Sequence, residues 1–353
     1  KSFRHHPYFN LTLDYQALWD FPTFLWVPQP ATVYQEVKAL PRGHRLVMTE
    51  LGCEIKPYPN LFQMSSLPSV DKKMMVRETV EEAVSSRLLS EVPIGCFLSG
   101  GLDSSIVATL ASKEKPLRTY CIAFEDIHDP YHGRANESVE ATEYAKKLGT
   151  QHTNIEVDAK VFENLLDDFC WYGDQPFAVS SGLGILAVAK AAREDGIKVL
   201  LSGDGADEAF GGYSWYAYLN QVTEAHASNT DHEIVSFQEV GISIEERLKK
   251  LSTLASHERA YAWHYYAHEL DKKSLFHSDL FSEVQSSVQH FKAYKPGSVW
   301  TGLDYMQQDH DFYFPNEMLT KLDRMSMAYS VEARAPFAAP KILALAAHLT
   351  HAD

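Results

Sequence analysis

The stretch Val92–Ser112, "VPIGCFLSGGLDSSIVATLAS", decides the fold. Its first part, "VPIGCFL", reads as a short buried strand, and "SSIVATLAS" reads as a helix. Between them stand Gly100 and Gly101, with Ser99, Asp103, Ser104 and Ser105 crowded around the turn. The glycines let the backbone turn sharply and approach a ligand with its N–H groups exposed. The helix that follows begins with unpaired donors and the positive end of its dipole, an anion site by construction. The serine hydroxyls add donors, and Asp103 can take a divalent cation that bridges phosphate oxygens. A Gly-Gly turn with Ser and Asp merely capping the helix explains either residue, but not the whole set. The set points to a polyphosphate, although the Walker pattern GxxxxGK followed by Ser or Thr is absent.

Upstream, apolar residues recur at helical spacing from Lys72: Val76, Val80, Ala83, Val84 and Leu88. Downstream, "RTYCIAF" reads as a strand, "ESVEATEYAKKLG" as a helix closed by Gly149, and "HTNIEV" as a strand. "KVFENLLDDFCWY" and "GILAVAKAARED" follow as helices and "KVLLSG" as a fourth strand. This alternation predicts an α/β fold, a parallel sheet covered by helices on both faces. From Ser214 strand signals nearly vanish, and residues 214–353 read as mainly helical. Residues 1 to about 65, rich in aromatics and prolines, mix short helical and extended patterns.

A second stretch, "LLSGDGADEAFGGY" (Leu200–Tyr213), repeats the logic of the first at the end of the fourth strand. Ser202, Gly203 and Gly205 make another strand-to-helix turn, with Asp204, Asp207 and Glu208 beside it. Acids at a helix start can simply answer the dipole. A parallel sheet, however, brings the carboxyl ends of both strands to one edge, where open α/β sheets bind ligands. Asp103 and Asp207 are then placed to share Mg²⁺ around one triphosphate.

The 353 residues are 45% hydrophobic, enough for one large domain or two modest ones. A net charge of −15 argues against a nucleic-acid partner, because that affinity rests on cations neutralising phosphates. Cys53, Cys96, Cys121 and Cys170 are scattered with no CxxC pair, which reads as reduced, cytoplasmic thiols. None of the sixteen histidines sits in HExxH or a similar ligand spacing. The longest apolar runs, such as Gly184–Ala192, fall short of the roughly 18 residues of a bilayer span, so no membrane partner is expected. Both ends, Lys1 and "LALAAHLTHAD", read as cut.

Together with "KLDRMSMAYSVEARAPF" (Lys321–Phe337), these motifs resemble the synthetase domain of glutamine-hydrolysing asparagine synthetases, members of the ATP-pyrophosphatase group. "VRETVEEAVSSRL" and "NESVEATEYAKKLGTQH" extend the similarity in order through almost the whole chain. The first loop alone is shared with NAD and GMP synthetases and thiouridylating enzymes; the second loop and Lys321–Phe337 are more specific. The resemblance implies an adenine nucleotide α-hydrolase-like fold in which a substrate carboxylate attacks ATP at the α-phosphorus. An acyl-adenylate and pyrophosphate result, and ammonia then displaces AMP to give an amide.

Residue by residue, the resemblance assigns Ser99, Gly100, Gly101, Leu102, Asp103, Ser104 and Ser105 to the β- and γ-phosphates. Leu98 and Ile122 flank the adenosine, and Ser202 and Gly203 touch the nucleotide. Asp103 and Asp207 become the Mg²⁺ ligands, and Asp204, Glu208 and Arg324 the catalytic groups. Lys321, Asp323, Arg324, Glu332 and Arg334 are many charges for a plain core helix; a solvated, salt-bridged face is the other reading. Phe312, Tyr313, Phe314 and Phe337 read as core.

The resemblance divides the chain into residues 1–65, a remnant of the glutaminase domain and its linker, and residues 66–353, the ATP-binding domain. The glutaminase domain of the full-length protein and the carboxy-terminal segment with its lysine are expected outside the chain; a homodimer is compatible with the reading. Cys96 and Cys121 lie in expected buried strands, where thiolates are disfavoured. Relatives usually read "DEPF" and "PFLD" where this chain has "DQPF" (Asp174–Phe177) and "PFAA" (Pro336–Ala339). The substrates expected are ATP, aspartate and ammonia from glutamine. Open alternatives are another carboxylate, as in β-lactam synthetases, lasso-peptide cyclases or enzymes amidating sugar acids, and a catalytically weak ATP-binding protein.

Overall fold

Five short strands form one parallel sheet. They are β1 (Ile94–Phe97), β2 (Arg118–Phe124), β3 (Gln151–Val157), β4 (Val199–Leu201) and β5 (Glu332–Arg334), in the order β3-β2-β1-β4-β5. The computed structural model describes residues 1–58, 71–124, 128–129, 133–134, 136–224, 244–297 and 299–349. The boundary expected at 65/66 lies outside them. The chain divides into two units, Lys1–Leu61 with Asp174–Val179 and Tyr213–Glu317, and Phe62–Gly173 with Ser180–Gly212 and Met318–Asp353.

The second unit carries the sheet. Its helices are α1 (Lys72–Arg87), α2 (Leu102–Glu114), α3 (Ser138–Leu148), α4 (Ala159–Tyr172), α5 (Ser181–Glu194), α6 (Ala206–Phe210), α7 (Thr320–Met327) and α8 (Pro340–Ala346). Side chains alternate across the pleat and separate the core into two layers. Cys96, Cys121, Val199 and Leu201 face Val84, Val107, Ala108, Ala141 and Ile342. Tyr120 and Leu200 face Val188, Ala189 and Val331 on the other side. Helices therefore cover both faces, as the alternation predicts. α2 and α5 show why small residues recur in these helices: Ala108, Ala111, Ala189 and Ala192 are fully buried and let each helix axis approach the sheet.

The chain order fixes where a ligand can sit. From β1 it moves outward to β2 and β3, then crosses back to β4 on the opposite side of β1. The turns after β1 and β4 thus flank the switch point of the sheet, where the carboxyl ends of strands leave a crevice. β5 differs from the sequence expectation: within a segment that reads as helix, three residues pair with β4, Val199↔Glu332 through Leu201↔Arg334. Glu-Ala-Arg shows no apolar alternation, because only the backbone of this edge strand is used for pairing.

The first unit is mainly helical. Its helix Tyr15–Phe24 is capped by Asp14, whose carboxylate accepts from Ala17 N at 3.0 Å. Phe24 stacks within an aromatic cluster of Trp26, Tyr265, Phe291 and Phe312. Beside it, the fully buried Lys272 donates to Ser287 Oγ at 2.6 Å and pairs with Glu269 at 2.8 Å. A hairpin, His44–Thr49 with Gly52–Pro57, is exposed along nearly its whole length. Gln175 finds a structural use in this unit, its side-chain carbonyl accepting from Val33 N at 3.4 Å. Among the described residues no helix is long and apolar enough to cross a membrane.

Candidate active site

The turn after β1 is held by its own hydroxyls. Ser104 Oγ donates to the Gly101 carbonyl at 3.3 Å and accepts from Ser99 N at 3.1 Å; the Ser99 and Ser104 hydroxyls lie 3.1 Å apart. Ser99 Oγ in turn accepts from Gly101 N at 3.3 Å. Gly100 adopts φ +77°, in the left-handed region that favours glycine, and a Cβ there would stand 2.8 Å from Glu140 Cβ at the start of α3. The loop is thus closed from behind by α3.

The turn after β4 lies directly against this loop. A Cβ on Gly203 would meet Ser104 N at 2.9 Å and Asp103 Cβ at 3.1 Å, so only a glycine lets the two backbones pass. The Ser202 hydroxyl donates to the Asp204 carboxylate, and Asp204 N donates back to Ser202 Oγ at 3.3 Å. Gly205 at φ +100° starts α6, whose first turn carries Asp207 and Glu208. The two stretches that the sequence singled out are therefore one site.

Its electrostatics follow from crowding three carboxylates. Burial and then the charges of Asp103 and Asp204 push Asp207 up to about 6. Asp103 is raised by burial and by Asp204. These hard oxygen donors, next to a loop of N–H and O–H donors, fit a Mg²⁺-like cation better than a softer metal. Among the described residues no cluster of three or more metal-ligating side chains forms, so such a cation would draw further ligands from phosphate oxygens and water.

The other expected residues are placed as follows. Ser104 and Ser105 are buried at the start of α2, and Leu102 is 75% exposed there. The Leu98 side chain is buried in the layer of α1 and α2, and its N donates to the Tyr120 carbonyl at 2.9 Å. Ile122 packs in the opposite layer, against Gly184 of α5. Glu208 is buried. The Arg324 guanidinium donates to the Gly173 carbonyl beyond the end of α4, and Lys321 Nζ reaches Ser181 Oγ at 3.0 Å.

Of the four residues read as core, Phe314 and Phe337 are buried, and Phe312 and Tyr313 are half-buried. Burial pushes the Cys96 thiol well above its usual range and Cys121 to about 11, which disfavours either thiolate. Ala339 caps the start of α8 without any side-chain hydrogen bond. Glu137 was not singled out in the sequence. It precedes α3, and burial raises its pKa while the neighbouring Ser99 hydroxyl opposes that rise. The available signal was an acid at the start of the helix that follows β2.

The asparagine synthase family model matches residues 75–352. The chain belongs to the asparagine synthase family. Relatives of this family member include a putative glutamine-hydrolyzing asparagine synthetase of Mycobacterium bovis, 28% identical over 97% of the chain and 53% of the relative. Asparagine synthetase 1 (glutamine-hydrolyzing) of Bacillus subtilis is 26% identical over 93% of the chain and 52% of its own length. An amidase of Gibberella zeae is 29% identical over 57% of the chain and 35% of the amidase. This asparagine synthase family chain spans about half the length of the two synthetases it matches.

Proposed function

We propose that the chain carries the ATP-dependent, amide-forming half of an asparagine synthetase: activation of aspartate as β-aspartyl-AMP, then amide formation with ammonia drawn from glutamine. The observation that carries this reading is the abutment of Gly203 on Asp103–Ser104, which joins a phosphate-type loop and a three-carboxylate turn into one site. In this reading the backbone N–H groups and hydroxyls from Ser99 to Ser105 hold the β- and γ-phosphates. They stabilise the charge that grows on pyrophosphate as the carboxylate attacks the α-phosphorus. Asp103 and Asp207 would hold Mg²⁺, which supplies charge neutralisation to the leaving group. Asp204, hydrogen-bonded by Ser202, would accept a proton as ammonia attacks the acyl-adenylate. The missing half of the relatives' length would provide the glutaminase.

A second reading keeps the adenylation chemistry and changes the acceptor. The likeness to the amidase and the uncharged Gln175 and Ala339, which stand where relatives carry acids, favour it. The test is AMP and pyrophosphate formation by the full-length protein over a panel of carboxylic acids, with ammonia or glutamine as nitrogen donor. AMP, pyrophosphate and asparagine from aspartate are expected. Amidation of another acid instead would establish the second reading, and ADP as product would rule out both.

A further inference from the structure

The carboxyl end of β5 opens onto a cavity of about 280 Å³ whose walls include Arg87, Leu319, Leu322, Asp323, Arg334 and Ala338. It adjoins the strand that carries the second loop, since Ser202 N donates to the Arg334 carbonyl at 2.9 Å. Its volume lies near the lower end for small-ligand pockets, roughly 300 Å³, and suits a compact molecule.

The three charged side chains are not equivalent. Arg334 is committed: Nε and one terminal nitrogen fork onto Glu332 at 2.8 and 3.2 Å, and the other donates to the Arg87 and Leu89 carbonyls at 2.7 and 2.9 Å. Arg87 and Asp323 are different. The Arg87 guanidinium donates to the Ser86 hydroxyl at 2.8 Å, and among the described residues neither Arg87 nor Asp323 forms an ion pair. One uncommitted cation and one uncommitted anion line a single cavity without pairing with each other, and apart from Arg334 the rest of the wall is aliphatic.

We propose that this cavity binds a free α-amino acid with an uncharged side chain. The carboxylate meets Arg87, the ammonium meets Asp323, and the side chain lies against Leu319, Leu322 and Ala338. A simple carboxylate would leave Asp323 facing a like charge, and a simple amine would do the same to Arg87. An acidic side chain would bring a second carboxylate with no uncommitted cation to receive it, because Arg334 is spent on Glu332 and two carbonyls. The proposal involves neither ATP nor the phosphate loops, so it stands or falls apart from the adenylation reading.

The test is calorimetric titration of the full chain, without nucleotide, with L-valine, its deaminated analogue 3-methylbutanoate, its decarboxylated analogue isobutylamine, and L-aspartate. L-valine is expected to bind, with the other three weaker by at least about tenfold, the cost of losing one charged hydrogen bond. Arg87→Met and Asp323→Asn should each weaken L-valine by at least about tenfold with an unchanged thermal midpoint, since neither side chain is buried. Ala338→Leu, which fills the cavity, should abolish binding. Absence of L-valine binding, or undiminished binding in the Arg87 and Asp323 variants, would overturn the site. Tighter binding of L-aspartate would overturn its selectivity.

Discussion

Asp207 binds its proton more tightly in the folded chain than in the unfolded one, because burial, Asp103 and Asp204 all oppose its charge. Its pKa rises from 3.8 to about 6 on folding. Between those values the folded state holds the extra proton, so this group's contribution to stability is present at low pH and lost as pH rises through that window. Asp207→Asn removes the penalty. The variant is expected to melt at a higher temperature than the wild type at pH 7 and at a similar one at pH 4, measured by thermal unfolding across pH. A lower midpoint at pH 7 would mean that the carboxylate is stabilised in the folded chain. The identity of such residues was legible: Asp103, Asp204 and Asp207 stand beside glycine-rich turns in the sequence. Their mutual repulsion was not, because it depends on how closely Gly203 lets two distant turns approach.

At the scale of elements, the first four strands and the helices from Lys72 to Glu194 were readable because each carries its own apolar period and stop signal, such as Gly149 at φ +70°. β5 was not, since its three residues are defined by pairing with a strand some 130 positions earlier rather than by local pattern. What fixes β5 is Arg334, whose guanidinium ties the strand to the carbonyls that end α1. Arg334→Met removes the donors and leaves both carbonyls without them. A loss of about 2 kcal/mol is expected from denaturant titration. The fork onto Glu332 contributes little to that figure, because Glu332 is exposed. A loss below about 0.5 kcal/mol would show that backbone pairing alone holds the strand. Glu137 is not legible in the sequence for a similar reason: its approach to Ser99 arises only when α3 closes behind the loop.

For the whole molecule, alternating strands and helices made the sheet unit legible, and the motifs pointed to the edge that carries the candidate site. The chain's passage between two units at 173/174, 179/180, 212/213 and 317/318 was less so, because each crossing is decided by contacts remote in sequence. In the proposed reading the net charge of −15 sharpens the chemical demand at the sheet edge, because triphosphate would enter a site already holding three carboxylates. That fits a cation-assisted reaction at the α-phosphorus, and the fate of one oxygen atom tests it. The full-length protein would be given ATP, ammonia and an accepted carboxylic acid labelled with ¹⁸O in the reacting carboxyl group, and the phosphorus products read by mass spectrometry. An acyl-adenylate mechanism requires one labelled oxygen to leave with AMP, whereas label in inorganic phosphate, with ADP as its partner, would contradict it.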